Sequence, residues 1–407
     1  MQQKRVIAAF TGNRAEYGLL QPILASLRAH PKIDFRLIVS GAHLDANFGR
    51  TLAEIEQDGY SIDAEVKIDI DDDTLFGTAR AIGSGVLSMS QALARIKPDM
   101  LVVYADRFEG FAAIIAGTQM GIPTAHIEGG DVTEGGALDD SVRHAMTKLA
   151  HLHLTTNEEA SNRIKAMGEE PWRVHTVGFP VIDLIVKGIY AKPEELRQQL
   201  GIDPERPLIL VTQHSVTTEA EQAVDQVRPL IDAIRRLASE GVQCLVTYPN
   251  NDAGGRRIGG ELERLAAEGL PNITVRRSVG RYNYHGVLAL ALDPRRKVAC
   301  VGNSSSGIKE TPAFGCPTVN VGSRQQSRLR STNVIDTGYD ADEIYAAVRR
   351  CFDDQAFRAT CRTCDNPYGM GNTGPRVAEI LSNVVLDARL LRKMMTIRGE
   401  QRDDWYR

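Results

Sequence analysis

Residues 125–154 read AHIEGGDVTEGGALDDSVRHAMTKLAHLHL. They hold four of the chain's nine histidines, His126, His144, His151 and His153. They also hold five carboxylates, Glu128, Asp131, Glu134, Asp139 and Asp140. Such a set can be a metal centre, a group of acids and bases, or an ordinary charged helix. Metal is poorly served, because no H-x-x-x-H or H-E-x-x-H pair occurs here and His151 and His153 have no acid at ligand spacing. Cys361 and Cys364 form a C-x-x-C with no second pair or neighbouring histidine, again a weak metal signal. In ALDDSVRHAMTKLAH, Asp139 and Asp140 fall in a helix's first turn, where the dipole favours acids. Arg143 lies four and three residues further on, so all three share a face, and His144 follows Asp140 by four.

The elements that position such groups are short aliphatic runs alternating with longer helical patterns. RVIAAF, DFRLIVS, DMLVVYA, TAHI and HLHLTT are predicted strands in the first half; LILVTQ, QCLVTYP, ITVRR, KVACVG and PTVNVG are their counterparts in the second. YGLLQPILASLRAH and AEQAVDQVRPLIDAIRRLASEG are predicted helices. This alternation implies parallel sheets covered by helices, and continuously apolar strands imply sheets buried on both faces. In open parallel sheets the ligand lies beyond the carboxyl ends of the strands. Polar residues crowd there: Arg14, His43, Asp106, Arg107 and Glu128 in the first half, and His214, Asn250, Asp252, Asn303, Ser304, Ser305, Arg324 and Arg328 in the second. The pattern implies two half-sites facing one cleft. Strand-to-helix loops are polar anyway, but seldom with so many Arg, His, Asp and Glu.

KVACVGNSSSGIKETPAFG is a strand, a Gly- and Ser-rich loop and a helix start. Backbone amides and hydroxyls in such a loop bind anions, so Ser304, Ser305 and Gly307 are candidates to hold a diphosphate; a simple N-cap reads the same way. Arg14, Arg324 and Arg328 are candidate fixed positive charges. Neither G-x-G-x-x-G nor G-x-x-x-x-G-K-[ST] occurs, which argues against a dinucleotide site and a P-loop.

The 407 residues are 43% hydrophobic and 25% charged, with a net charge of −4. That suits a soluble globular chain of two domains and gives no reason to expect nucleic acid or an anionic membrane. No apolar run approaches the roughly 20 residues that cross a bilayer. MQQKRVIAAFTG has too short an apolar run for a signal peptide, so the expected location is cytoplasmic. Cys244, Cys300, Cys316 and Cys351 fit buried, reduced thiols. The Pro-, Gly- and charge-rich stretch VGFPVIDLIVKGIYAKPEELRQQLGIDPERP marks the boundary. The expected domains are 1–185 and 186–373, with an amphipathic C-terminal helix over 374–400 returning to the first.

The segment YADRFEGFAAIIAGTQMGIPTAHIEGG…LDDSVRHAMTKLAHLH resembles the hydrolysing UDP-N-acetylglucosamine 2-epimerases of the sialic and legionaminic acid pathways. So do TGNRAEYGLL, QHSVTTE, YPNNDAG, GNSSSGIKETPAFGCPTVNVGSRQ and NPYGMGN, in the same order from about residue 5 to about residue 385. The resemblance implies an α/β, GT-B-like fold: two Rossmann-type doubly wound domains with an interdomain cleft. It implies anti elimination of UDP from the sugar nucleotide to a glycal, then hydration to the 2-epimer, with no cofactor. It places Asp106 and Glu128 as acid/base carboxylates and Asp139, Asp140 and Arg143 in the family's DDSxRH cluster. His214, Arg14, Ser304 and Ser305 match diphosphate contacts, Glu310 the ribose contact, and His43, Arg107 and His126 polar active-site positions. A homodimer or homotetramer is the expected assembly. Tyr104-Ala105, the longer GGDVTEGGALDD and Met370 depart from the family pattern, which leaves the sugar's substituents open. A UDP- or GDP-2,4-diacetamido-trideoxyhexose is the alternative substrate, and a GT-B glycosyltransferase the alternative enzyme.

Overall fold

The computed structural model describes residues 4–44, 52–70, 72, 74–132, 138–250 and 253–397. Two parallel sheets carry the fold. In the first, the order is β3-β2-β1-β4-β5-β6-β7, from β1 (Arg5–Thr11), β2 (Ile33–Ser40), β3 (Ala64–Val66), β4 (Met100–Tyr104), β5 (Thr124–Ile127), β6 (Leu152–Thr155) and β7 (Val174–Thr176). In the second it is β10-β9-β8-β11-β12-β13, from β8 (Leu208–Thr212), β9 (Gln243–Thr247), β10 (Ile273–Arg276), β11 (Val298–Gly302), β12 (Thr318–Val321) and β13 (Val334–Thr337). Every pairing is parallel, as β1 with β4 through Ile7↔Met100 and β8 with β11 through Leu208↔Val298. Parallel strands need crossovers, and the helices that supply them cover both faces. That burial is why β4 and β8 are buried at every position.

Strand order reverses between β1 and β4, and again between β8 and β11. Those switch points are where an open α/β sheet presents its carboxyl ends to a ligand. At the second, Gly302 is required: its φ is +116° and a Cβ would lie 2.1 Å from the Thr212 carbonyl. No side chain can stand there, so the loop after β11 starts hard against β8.

Contacts group the chain into two units, one of residues 1–131, 138–183 and 371–407, the other of residues 132–137 and 184–370. The helix Thr373–Asn383 closes the first unit. Asp183 accepts hydrogen bonds from the amides of Thr373 (2.7 Å) and Gly374 (2.8 Å), satisfying two donors of that helix's first turn. A Cβ at Gly374 would lie 2.4 Å from the Pro22 carbonyl, so glycine permits the close approach to the helix Arg14–Ala29. The tail departs from the single helix expected over 374–400. It ends at Asn383, because Val384 turns extended, and a separate turn, Ala388–Leu391, begins under Asp387, whose carboxylate caps the Leu390 amide at 3.0 Å. No helix among the described residues is long and apolar enough to cross a membrane.

Candidate active site

In the first unit, the carboxyl ends of β4 and β5 carry the candidate acids. Arg143, on the helix Leu138–Leu149, makes an ion pair with Asp106 and another with Asp140 at 2.7 Å. The guanidinium is only 4% exposed, so two carboxylates on one arginine fork satisfy a buried charge and fix Asp106 after its strand. Asp139, one residue earlier, is exposed. Glu128 is buried at the end of β5 and accepts a hydrogen bond from the Tyr104 phenol.

The backbone beneath these acids is unusual. Ala105 and Glu128 have φ of +54° and +63°, a left-handed region that costs a residue with a Cβ about 1–2 kcal/mol. Neighbouring bonds hold them there. The Ala105 amide donates to the Ile127 carbonyl at 2.9 Å and the Glu128 amide to the Leu154 carbonyl at 3.0 Å. His126 Nε2 donates to the Ala105 carbonyl at 2.6 Å, which leaves Nδ1 to accept from Thr147 Oγ1 at 3.2 Å. His126 has no exposed surface and braces the turn that precedes Asp106. His43, on the turn after β2, is equally buried, with Nε2 3.1 Å from Thr11 Oγ1 at the end of β1. Arg14 is exposed and paired with Glu54 at 2.8 Å, and Arg107 is exposed with Nε 3.7 Å from Glu109.

Two groups here were not singled out from the sequence. Glu16 and Glu109 are buried beside Gly12 and Gly41. Burial raises both carboxyls above the usual carboxylate range, and the charge of Glu109 adds to the rise at Glu16. Each lies in the first turn of a helix, where an acid reads as dipole compensation.

In the second unit, Asn303 organises the loops at the switch point. Its side chain accepts from the His214 amide at 2.7 Å and donates to the His214 carbonyl at 2.9 Å. Its own carbonyl accepts from Arg324 Nη1 at 3.2 Å and Gln325 Nε2 at 2.9 Å. His214 Nδ1 accepts from the Asn250 amide at 3.0 Å. Burial first, then Arg324, pushes the ring down to about 3, so it is neutral and carries its proton on Nε2. It therefore offers a donor without adding charge.

The helix expected after the serine loop is a single turn, Ser306–Lys309, followed by a 3₁₀ turn, Thr311–Phe314. A macrodipole that short is weak, so the helix start by itself offers little attraction to an anion. The helix Gly280–Ala289 supports it with two adjacent side chains. Tyr284 OH lies 2.7 Å from Ser306 Oγ, which lies 3.0 Å from Ser304 Oγ. His285 Nε2 lies 2.7 Å from Glu310 Oε2. Gln213 Oε1 and Ser215 Oγ are buried with no hydrogen-bond partner among the described residues. Asp252 lies outside those residues. Cys361 is buried beside the half-exposed Cys364, and no group of three or more His, Cys, Asp or Glu that could hold a metal occurs among the described residues.

Buried histidines set an expected acid limit. Desolvation pushes His43, His151 and His153 down to about 4, and His126 and His214 to about 3. Unfolded, they titrate near 6.5. Below about pH 6.5 the unfolded chain takes up protons that the folded one refuses, so stability falls as pH drops towards 4. Glu16 and Glu109 act oppositely, because their raised carboxyls bind protons first in the folded state, but two groups oppose five. Each net proton is worth about 1.4 kcal/mol per pH unit. Urea midpoints are expected to be clearly lower at pH 5 than at pH 7.5; a flat profile would contradict five neutral buried rings.

The chain matches the family model described as UDP-N-acetylglucosamine 2-epimerase over residues 25–382. It is 32% identical over 389 residues to UDP-N,N'-diacetylbacillosamine 2-epimerase (hydrolyzing) of Legionella pneumophila, covering 96% of this chain and 98% of that protein. It is 31% identical over 386 residues to UDP-N-acetylglucosamine 2-epimerase of Neisseria meningitidis serogroup B, covering 93% and 95%. Among solved structures, UDP-GlcNAc 2-epimerase from Neisseria meningitidis bound to UDP-GlcNAc superposes with a TM-score of 0.76 at 18% identity, covering 93% of this chain and 99% of that one.

Proposed function

The chain belongs to the UDP-N-acetylglucosamine 2-epimerase family, and from that premise we propose that it is a hydrolysing 2-epimerase of a UDP-2-acetamido sugar, with UDP-N-acetylglucosamine as the leading substrate. The observation that carries the reading is the set Asp106–Arg143–Asp140 with Glu128 at the ends of β4 and β5. C2 of such a sugar is not next to a carbonyl, so simple deprotonation there is very slow. Breaking C1–O while a carboxylate takes the C2 proton sends the electron pair to UDP and leaves a glycal. Water then adds at C1, and a carboxylic acid returns a proton to the opposite face of C2. Asp106 and Glu128 are the acid/base pair, and Asp139, Asp140 and Arg143 order the cluster around them. His214, Ser304, Ser305, Gly307 and Arg324 take the diphosphate, with Arg14 as a further diphosphate contact, and Arg107, His43, His126 and Asn250 are further substrate-binding positions. Glu310 takes the ribose hydroxyls.

The Legionella relative's name supports a second substrate, a UDP-2,4-diacetamido-trideoxyhexose. Either product, a 2-epimeric acetamido sugar of the N-acetylmannosamine type, suits synthesis of sialic or legionaminic acid. The enzyme acts in the cytoplasm as a homodimer or homotetramer.

The test supplies each sugar nucleotide alone and follows it by NMR. Release of UDP with the free 2-epimer is expected, at a rate that EDTA leaves unchanged, because Arg324 and loop donors supply the positive charge. A glycosyltransferase would release UDP slowly and leave C2 unchanged. Loss of activity to the chelator, restored by one divalent ion, would overturn the metal-independent form of the proposal.

A further inference from the structure

We propose that Tyr104 is a positioning residue for Glu128, a role that rests on the epimerase reading above. Tyr104 is the last residue of β4 and pairs in register with Ile127, so Glu128 begins one residue beyond it on the neighbouring strand. The ring is buried and its O–H donates to Glu128 Oε2. Burial, with Glu128 next to it, holds the phenol well above its ordinary range, so it remains a hydrogen-bond donor through the working pH.

The geometry explains what the bond does. Glu128 leaves the sheet from a left-handed backbone, φ +63°, and the adjacent Ala105 leaves β4 with φ +54°. A residue kept in that region persists only where its surroundings over-determine it. The amide bonds to Ile127 and Leu154 fix the backbone, but none of them fixes rotation of the carboxylate. The phenol does, by pinning one oxygen. Proton transfer at C2 needs a carboxylate oxygen held within hydrogen-bond reach in one orientation. Tyr104 gives up no proton to the sugar: in elimination the C2 proton passes to a carboxylate and the C1–O electron pair to UDP, and in hydration water and a carboxyl proton restore C1 and C2.

Tyr104→Phe keeps the ring and its packing and removes only the O–H. The expected result is a kcat lower by roughly 10–100-fold, the scale of a misplaced catalytic group, with KM for the sugar nucleotide and the affinity for UDP unchanged. In a Glu128→Gln background, Tyr104→Phe is expected to add little further loss, because both changes act through one carboxylate. A structural role would instead lower the melting temperature and multiply the losses. Replacing Tyr104 by 3-fluorotyrosine changes donor strength while preserving shape; it should move kcat without moving KM, and it keeps the test open if the phenylalanine variant fails to fold. Wild-type kcat in the folded phenylalanine variant or an unmoved kcat with fluorotyrosine would remove the role of Tyr104 alone, as would multiplicative losses in the double variant. A wild-type enzyme that turns over no UDP-2-acetamido sugar would remove the epimerase reading itself.

Discussion

Asp106→Asn and Glu128→Gln are each expected to bind UDP as the wild type does and to lose turnover by about 10²–10⁴-fold, the contribution of a general acid or base. The structure explains why folding should survive both changes. Arg143 is buried and would be costly to leave unpaired, but Asp140 remains on it at 2.7 Å when Asp106 is neutralised. Glutamine at 128 keeps an acceptor for the Tyr104 hydroxyl and adopts the same backbone with the same strain. UDP affinity should hold because neither residue belongs to the His214, Asn303 and Ser304 constellation of the second unit. Isothermal titration with UDP and a steady-state assay of UDP release separate the two effects. Near wild-type turnover in either variant, with normal UDP binding, would show that its carboxylate does not carry the C2 proton.

How far the site could be read from the chain depends on whether its contacts are local. Strand ends are legible, because an aliphatic run followed by polar residues marks where a parallel sheet meets its ligand. Asp106, Glu128, His214 and Ser304 are candidates on that pattern and do stand just beyond β4, β5, β8 and β11, and the pairing of Asp140 with Arg143 follows from helical spacing. The edge strands β3, β7 and β13 were not legible: they have three or four residues, and Val174-His175-Thr176 is only half-buried and shows no apolar run. Contacts made by the fold were also hidden. Tyr104 meets Glu128 across 24 positions, His285 meets Glu310 across 25, and Asn303 clamps His214 across 89. No spacing rule joins such residues, because sheet register brings Tyr104 to Glu128 and Asn303 to His214, and the packing of the helix Gly280–Ala289 brings His285 to Glu310. His126 is buried because every position of β5 is covered, which a polar residue near a strand end does not announce.

In D₂O, the sugar released from the wild-type enzyme is expected to carry deuterium at C2, and in ¹⁸O water it is expected to carry ¹⁸O at C1. Both labels follow from elimination and hydration. The C2 proton leaves on one carboxylate, and a proton drawn from solvent returns on the opposite face, so inversion and exchange occur together. Two acid/base groups are needed for two faces, and Asp106 and Glu128 stand on neighbouring strand ends, β4 and β5, with separate partners in Arg143 and Tyr104. Separate partners hold the two carboxylates independently, so that each can address its own face of C2. The C1 label has an independent origin: the bridging oxygen departs with UDP, so the oxygen on C1 of the product must come from water. A glycosyltransferase acting as a slow hydrolase would also place ¹⁸O at C1, but C2 would keep its hydrogen and its configuration. A route through a nicotinamide ketone would invert C2 without releasing UDP. Retention of the original C2 hydrogen in the released sugar would therefore eliminate epimerisation through a glycal and leave Asp106 and Glu128 as substrate-binding groups.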